Sequence, residues 1–212
     1  MPPVSKRRYN SERRHRAADA TKTRVLGAAR ALFGRHGVDR VTVAQIAEKA
    51  YVAGSTVYAL YKSKEGILRA LMSGALFGAR FEEAHAKLQG VTDPVKLVAL
   101  TAHVARAIYE GESAELGLMR GVSAFSPALR KIELEFEKMR FDMQEERLRL
   151  LFAEGRARRG LTLEDARRLL WMYTSRDNYR MLVHEGGWTP EQYQRWLEHT
   201  LVEALVDGGK GA

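Results

Sequence analysis

Val41 to Leu71 reads VTVAQIAEKAYVAGSTVYALYKSKEGILRAL, and the rest of the chain is organised around it. Its spacing predicts two short helices, a tight turn between them, and a third helix following at once. Val43, Ile46 and Ala47 recur at helical intervals. Val52, Val57, Leu60 and Tyr61 continue that apolar set, then Ile67, Leu68 and Leu71. Between them lies a second face of small and polar residues: Gly54, Ser55, Thr56, Tyr58, Ala59 and Lys62. A short helix with one buried face and one small, polar face beside lysines suits insertion into a DNA major groove. The plainer reading is a surface helix pair in an ordinary bundle.

The charge distribution favours the first reading. Residues 1–72 hold 15 Lys and Arg against 5 Asp and Glu, a net +10, while residues 73–212 hold 20 against 21. All the excess positive charge therefore surrounds the helix pair, as expected of a polyanion-binding module joined to a neutral one. The 212 residues suffice for one or two domains with a full core. The absence of cysteine excludes disulfides and thiolate metal sites, and a reducing cytoplasm is the expected compartment. No run of about 18 apolar residues occurs, so no membrane span or membrane partner is expected. The basic start, MPPVSKRRYNSERRHR, lacks an apolar stretch behind it and does not read as a secretory signal.

Thr42-Val43-x-x-Ile46-Ala47-x-x-Ala50-x-Val52, followed by Thr56-Val57-Tyr58-x-x-Tyr61-x-Ser63-Lys64-Glu65-x-Ile67-Leu68, resembles the signature of the tetracycline-repressor (TetR) family. Upstream, Arg24-Val25-Leu26-x-Ala28-Ala29-x-x-Leu32-Phe33-x-x-x-Gly37 is similar to the helix that precedes it there. The resemblance spans roughly residues 21–72. Two positions depart from it: Tyr51 stands where the family's turn carries glycine, and Ala53 where it carries serine. A non-glycine residue in a left-handed turn costs about 1 kcal/mol. Alanine cannot cap the next helix, which leaves that task to Gly54 or Ser55.

Taken in order, residues 1–18 form a flexible basic arm carrying Lys6, Arg7, Arg8, Arg13, Arg14 and Arg16, suited to phosphates or a minor groove, or merely solubilising. Residues 19–72 form the helix-turn-helix domain. Its first helix, from Asp19 to His36, carries the stripe Val25, Leu26, Ala29, Leu32 and Phe33, and Gly37 ends it. Thr42 caps the second helix and Ser63 the fourth. Lys64, in the fourth helix's first turn, opposes the helix dipole. The resemblance implies a DNA phosphate beside it.

Residues 73–212 read as helices with legible punctuation. Asp93-Pro94, Ser126-Pro127 and Thr189-Pro190 each pair a capping residue with proline at the first helical position. Thr189 and Gln192 form a capping box, and Thr162 with Asp165 a looser one. The predicted spans are 64–88, 94–110, 113–124, 127–154, 163–185 and 190–207. The span 127–154 would be about 42 Å long. Leu129, Ile132, Phe136, Met139 and Met143 mark one side of it and Leu134, Phe141 and Leu148 another, as in a helix buried between layers. The last two helices are rich in apolar residues, and the resemblance implies that they pair with their copies in a homodimer.

The base-facing candidates are Gly54, Ser55, Thr56, Tyr58 and Ala59, and the phosphate candidates are Thr42, Tyr58, Lys62, Ser63 and Lys64. The recognition helix lacks Arg, Asn and Gln, which read guanine and adenine bidentately. It is expected to approach closely and to lean on thymine methyls, phosphates and DNA shape. The resemblance also implies a ligand pocket in the second domain. Its candidate lining is His103, Met119, Phe125, Phe136, Met139, Trp171, Tyr173, Arg176, Asp177 and Tyr179, suited to an effector that is largely apolar. Thr174-Ser175-Arg176-Asp177-Asn178 interrupts an apolar helix, facing either a pocket, a dimer seam or solvent.

An enzyme is not expected. Glu82-Glu83-Ala84-His85 holds a Glu-x-x-His, but a di-iron bundle needs two of them on packed helices with two further Glu-bearing helices, and the other such spacing, Glu12 to His15, lies in the basic arm. No His-x-x-x-His and no phosphate-loop glycine pattern occurs, so neither metal nor cofactor is expected. The sequence therefore reads as an all-α, homodimeric, DNA-binding transcriptional regulator, a ligand-responsive repressor of a palindromic operator. The alternatives are an activator, a ligand-independent regulator, or a non-specific DNA-binding protein.

Overall fold

The computed structural model describes residues 5–111 and 127–208; Met119 and Phe125 lie outside the described residues. The chain divides into two compact units, one holding Met1–Gly74 and Ser113–Glu133, the other Ala75–Glu112 and Leu134–Ala212. Among the described residues no β-strand forms; the one β-bridge pairs Ala157 with Val206.

In the first unit, α1 spans Ser5–His36, α2 Val43–Lys49, and α3 Gly54–Tyr61; α4 spans Lys64–Leu76 and reaches the unit boundary. Helix α1 begins at Ser5, not at Asp19. Between Pro3 and Gly27 nothing breaks a helix, and Arg, Lys, Glu and Ala propagate one readily once the packed part has nucleated it. Its other end falls where expected: Gly37, at φ 78°, donates its amide to the Phe33 carbonyl at 2.9 Å. Val25, Ala28, Ala29 and Phe33 of α1 are buried, as are Val43, Ile46 and Ala47 of α2, Val57 of α3, and Ile67, Leu68 and Leu71 of α4.

In the second unit, α5 spans Ala79–Ala86, α6 Pro94–Glu110, α7 Pro127–Met143, α8 Glu145–Ala153, α9 Leu163–Tyr173 and α10 Arg176–Tyr179. A π-helical turn, Arg180–Glu185, continues α10, and α11 spans Pro190–Leu205. Helix α7 begins in the first unit and enters the second at Leu134. The proline-marked starts are all met. Asp93 Oδ1 accepts from the Val95 amide at 2.9 Å, and Thr189 and Gln192 close a full capping box. Helices α6 and α11 are the central pair of this core, contributing Val98, Ala102, Ala105 and Tyr109 from one and Tyr193, Leu197, Leu201 and Leu205 from the other.

Three predicted helices are interrupted. The span 64–88 breaks at Phe77–Gly78, where glycine is a poor helix former and Phe77 turns edge-on to Phe81 at 5.2 Å between ring centroids. The span 127–154 is interrupted at Gln144, a buried residue that reaches across to Thr174. It is also not buried on two sides. Leu129, Ile132 and Phe136 are buried, but Met139 and Leu134 are about half exposed. Phe141 lies beneath the Arg167 guanidinium, 4.1 Å from its ring centre. The span 163–185 breaks at Thr174–Ser175, since the polar run there bonds to its own backbone. Thr174 donates to the Leu170 carbonyl at 2.7 Å, Ser175 accepts from the Asn178 amide, and the Asn178 side chain donates to the Met172 and Tyr173 carbonyls.

Candidate nucleic-acid interface and ligand cavity

The geometry of the first unit is set at its turn. The Val52 amide donates to the Ala47 carbonyl and the Tyr51 amide to that of Glu48, each at 3.0 Å. This pair of bonds is the Schellman arrangement, with Tyr51 in the left-handed position at φ 54°. The tyrosine therefore occupies the glycine conformation instead of distorting the turn. Its ring is 89% exposed, so no packing offsets the strain. Ala53 provides no side-chain cap to α3; the Thr56 amide donates instead to the Ala53 carbonyl at 2.9 Å.

The candidates on α3 fall together. Ser55, Tyr58 and Ala59 stand at i, i+3 and i+4 and are exposed, as is Lys62, which follows the end of the helix at φ 65°, while Val57 is buried and Gly54 and Thr56 are half-buried beside them. The phosphate candidates have work of their own. Thr42 Oγ1 accepts from the Gln45 amide at 3.2 Å, and the Thr42 amide donates to Gln45 Oε1 at 2.8 Å. Ser63 Oγ accepts from the Gly66 amide at 3.2 Å and holds the Glu65 carboxyl below its ordinary range by hydrogen bonding. Lys64 Nζ donates to the Val38 and Asp39 carbonyls at 3.0 and 3.4 Å. An unfavourable cation at a helix start is thus explained within the unit.

A cavity lies in the second unit, enclosing about 440 Å³ of unfilled space with its mouth included. Phe77, Phe81, Val104, Ala105 and Ile108 form apolar walls, and Thr101, Arg140, Gln144, Arg147 and Thr174 a polar end. None of the described candidates from the sequence lines it. Met139 is about half exposed, and His103 is half-buried elsewhere on α6. Phe136 stands one ring away, 5.9 Å from Phe77. Trp171 Nε1 donates to Glu137 Oε2 at 3.0 Å, and Tyr173 packs half-buried in the core. Tyr179 is buried edge-on to Tyr193 at 4.9 Å, with its hydroxyl pushed up by burial. Asp177 pairs with Arg180 at 3.4 Å, and Arg176 is half-buried at the start of α10. Among the described residues no group of three His, Asp or Glu side chains is placed to hold a metal ion, and no helix is long and apolar enough to cross a membrane.

Residues 25–71 match the model of the bacterial regulatory proteins, tetR family. The amino-terminal domain belongs to the tetR family. No curated protein sequence matches the chain. Solved structures share its fold along nearly the whole length. The triclosan complex of SmeT, from Stenotrophomonas maltophilia, is 21% identical, with TM-score 0.68 over 91% of this chain and 95% of that one. FadR from Bacillus subtilis, in complex with stearoyl-CoA, is 19% identical, with TM-score 0.66 over 86% and 98%. A TetR-family regulator from Syntrophomonas wolfei is 14% identical, with TM-score 0.70 over 87% and 94%.

Within the tetR-family domain, sequence reasoning missed two residues. Gln45 completes the box with Thr42, and the Thr-x-x-Gln spacing would have found it. A side chain on Gly66 would place its Cβ 1.9 Å from the Tyr61 carbonyl oxygen. The close passage of α4 past the end of α3 thus requires glycine there, and nothing in the sequence signals it. In the second unit the missed residues are Gln144, Arg147 and Thr101, polar side chains that helical periodicity assigns to no particular face.

Proposed function

We propose that this protein is a ligand-responsive transcriptional repressor that binds a palindromic DNA site as a homodimer. The observation that carries the proposal is the exposed face of α3, where Ser55, Tyr58 and Ala59 align, with Lys62 just past their end, on a helix fixed by a tetR-family core and surrounded by the chain's excess positive charge. In this reading Gly54, Thr56 and Ala59 let that helix come close to the bases, while Thr42, Lys62, Ser63 and Lys64 serve the flanking phosphates. The tail of α9, the π-helical turn and α11 offer the second copy an apolar surface. Met172 and Met181 are nearly half exposed there, and Trp196 is half-buried. A two-fold dimer presents two recognition helices to two half-sites about one DNA turn apart. SmeT is described as a repressor and was solved with triclosan, and FadR with stearoyl-CoA; both support a small effector held in the second unit. Such a ligand would act by favouring a conformer that no longer fits the site.

Selection of bound sequences from random DNA tests this. Enriched palindromes with half-sites one turn apart, bound by a dimer, are the expected result. Recovery of unrelated sequences with equal affinity at fixed salt would show a non-specific binder instead.

A further inference from the structure

We infer that Arg147 and Gln144 form the polar end of an effector site that takes a small organic carboxylate with an apolar body and a hydroxyl donor. This deepens the ligand-responsive reading and rests on it. Arg147 lines the cavity from α8, and among the described residues its hydrogen bond is from Nη1 to Thr101 Oγ1 at 2.8 Å. Thr101 passes its own proton to the Leu97 carbonyl at 3.1 Å, so it is an acceptor towards the guanidinium and brings no charge.

The neighbouring arginines are matched. Arg140 meets the Glu137 carboxylate at 2.6 Å, Arg106 meets Glu110 at 2.9 Å, and Arg167 meets Glu145 at 2.9 Å. Among the described residues no carboxylate stands within 4 Å of Arg147; Glu146 acts on it only from a distance. Burial depresses its basicity for the same reason. A partly buried cation with spare donors and no counter-ion is costly to a folded chain and suited to an anion.

Gln144 supplies the complement. It is 7% exposed, and its Oε1 has no hydrogen-bond partner among the described residues. Its orientation is fixed. Thr174 Oγ1 gives its proton to the Leu170 carbonyl, so it can only accept from Gln144 Nε2, at 2.9 Å. The free oxygen is thus an acceptor in need of a donor. Phe77, Phe81 and Val104 provide the apolar wall for the ligand's body. Arg147 also lines an outer groove with Met143 and His85, so the cation sits where that groove and the cavity adjoin.

Calorimetric titration of the full-length protein with decanoate, β-hydroxydecanoate and decanol tests the inference. The carboxylates should bind roughly tenfold or more tightly than decanol, as a charge-assisted pair implies. Arg147→Met should erase that preference while melting no lower than the wild type, because it removes an unpaired charge. Gln144→Leu should erase only the advantage of β-hydroxydecanoate over decanoate. Equal binding of acid and alcohol, binding of no probe, or an unchanged preference in Arg147→Met would overturn the proposal. Release of selected DNA is read in parallel. Carboxylate binding through Arg147 without DNA release would keep the site and sink the regulatory reading. Equal release by acid and alcohol in both proteins would do the reverse.

Discussion

Lys64 Nζ lies 3.0 Å from the carbonyl oxygen of Val38 and so ties the first turn of α4 to the loop that ends α1. The lysine satisfies two loop carbonyls that would otherwise face its aliphatic stem. Lys64→Met should therefore lower the stability of the tetR-family domain by about 1–2 kcal/mol, read as a shift of the urea midpoint. If the ammonium also meets a phosphate, the salt dependence of DNA binding should fall by about one counterion. An unchanged midpoint would show that these bonds contribute nothing net.

Tyr51 holds its left-handed backbone with an exposed ring. Tyr51→Gly should raise stability by about 0.5–1 kcal/mol, since relief of the Cβ penalty outweighs the added freedom of the unfolded chain. Thermal unfolding reads this directly, and a lower melting temperature would mean that the ring has a contact of its own.

Gly66 admits no side chain, because its Cβ would overlap the Tyr61 carbonyl. Gly66→Ala should destabilise the domain by about 2–3 kcal/mol or more, by forcing α3 and α4 apart. Ala70, half-buried one turn further along α4, is a control position: Ala70→Gly should cost only about 1 kcal/mol.

Glu65 titrates below its ordinary value, chiefly because Ser63 donates to it. A depressed folded-state carboxyl stabilises above its unfolded-state value and loses that contribution as pH falls through the folded one. Ser63→Ala should therefore begin acid unfolding at higher pH than the wild type, with the two proteins differing most at neutral pH and least at the acid end.

Glu137 neutralises Arg140 and accepts from Trp171. Removing it leaves a guanidinium whose partners among the described residues are carbonyls and the Thr174 hydroxyl. Glu137→Leu should cost about 3 kcal/mol and shift the tryptophan emission. A neutral effect would mean that Arg140 finds solvent.

What could be read from the residues follows from how local the cause is. Caps act within four residues, so Thr42, Asp93, Thr162 and Thr189 announced their helices, and the prolines fixed the first turns. The division of α3 into a buried and an exposed face was legible for the same reason, since its residues sort themselves by period alone. The start of α1 was not, because basic composition resembles a disordered arm while containing nothing that stops a helix. The break at Gln144 goes with a bond to Thr174 on a helix distant in sequence. The cavity lining failed likewise. Aromatic and methionine side chains marked the core or the open surface, and the polar end came from Thr101, Gln144 and Arg147, which look like ordinary helix-surface residues in the sequence.

The exposed tyrosine in the turn has one practical consequence. The chain has no cysteine, so Tyr51→Cys would create a single reactive thiol at a position that already tolerates a side chain in the left-handed conformation and touches no core. A nitroxide attached there would ride three residues ahead of α3. In a two-fold assembly the two labels would form a matched pair, and pulsed electron resonance would measure the spacing of the recognition helices in ångströms, with and without a ligand.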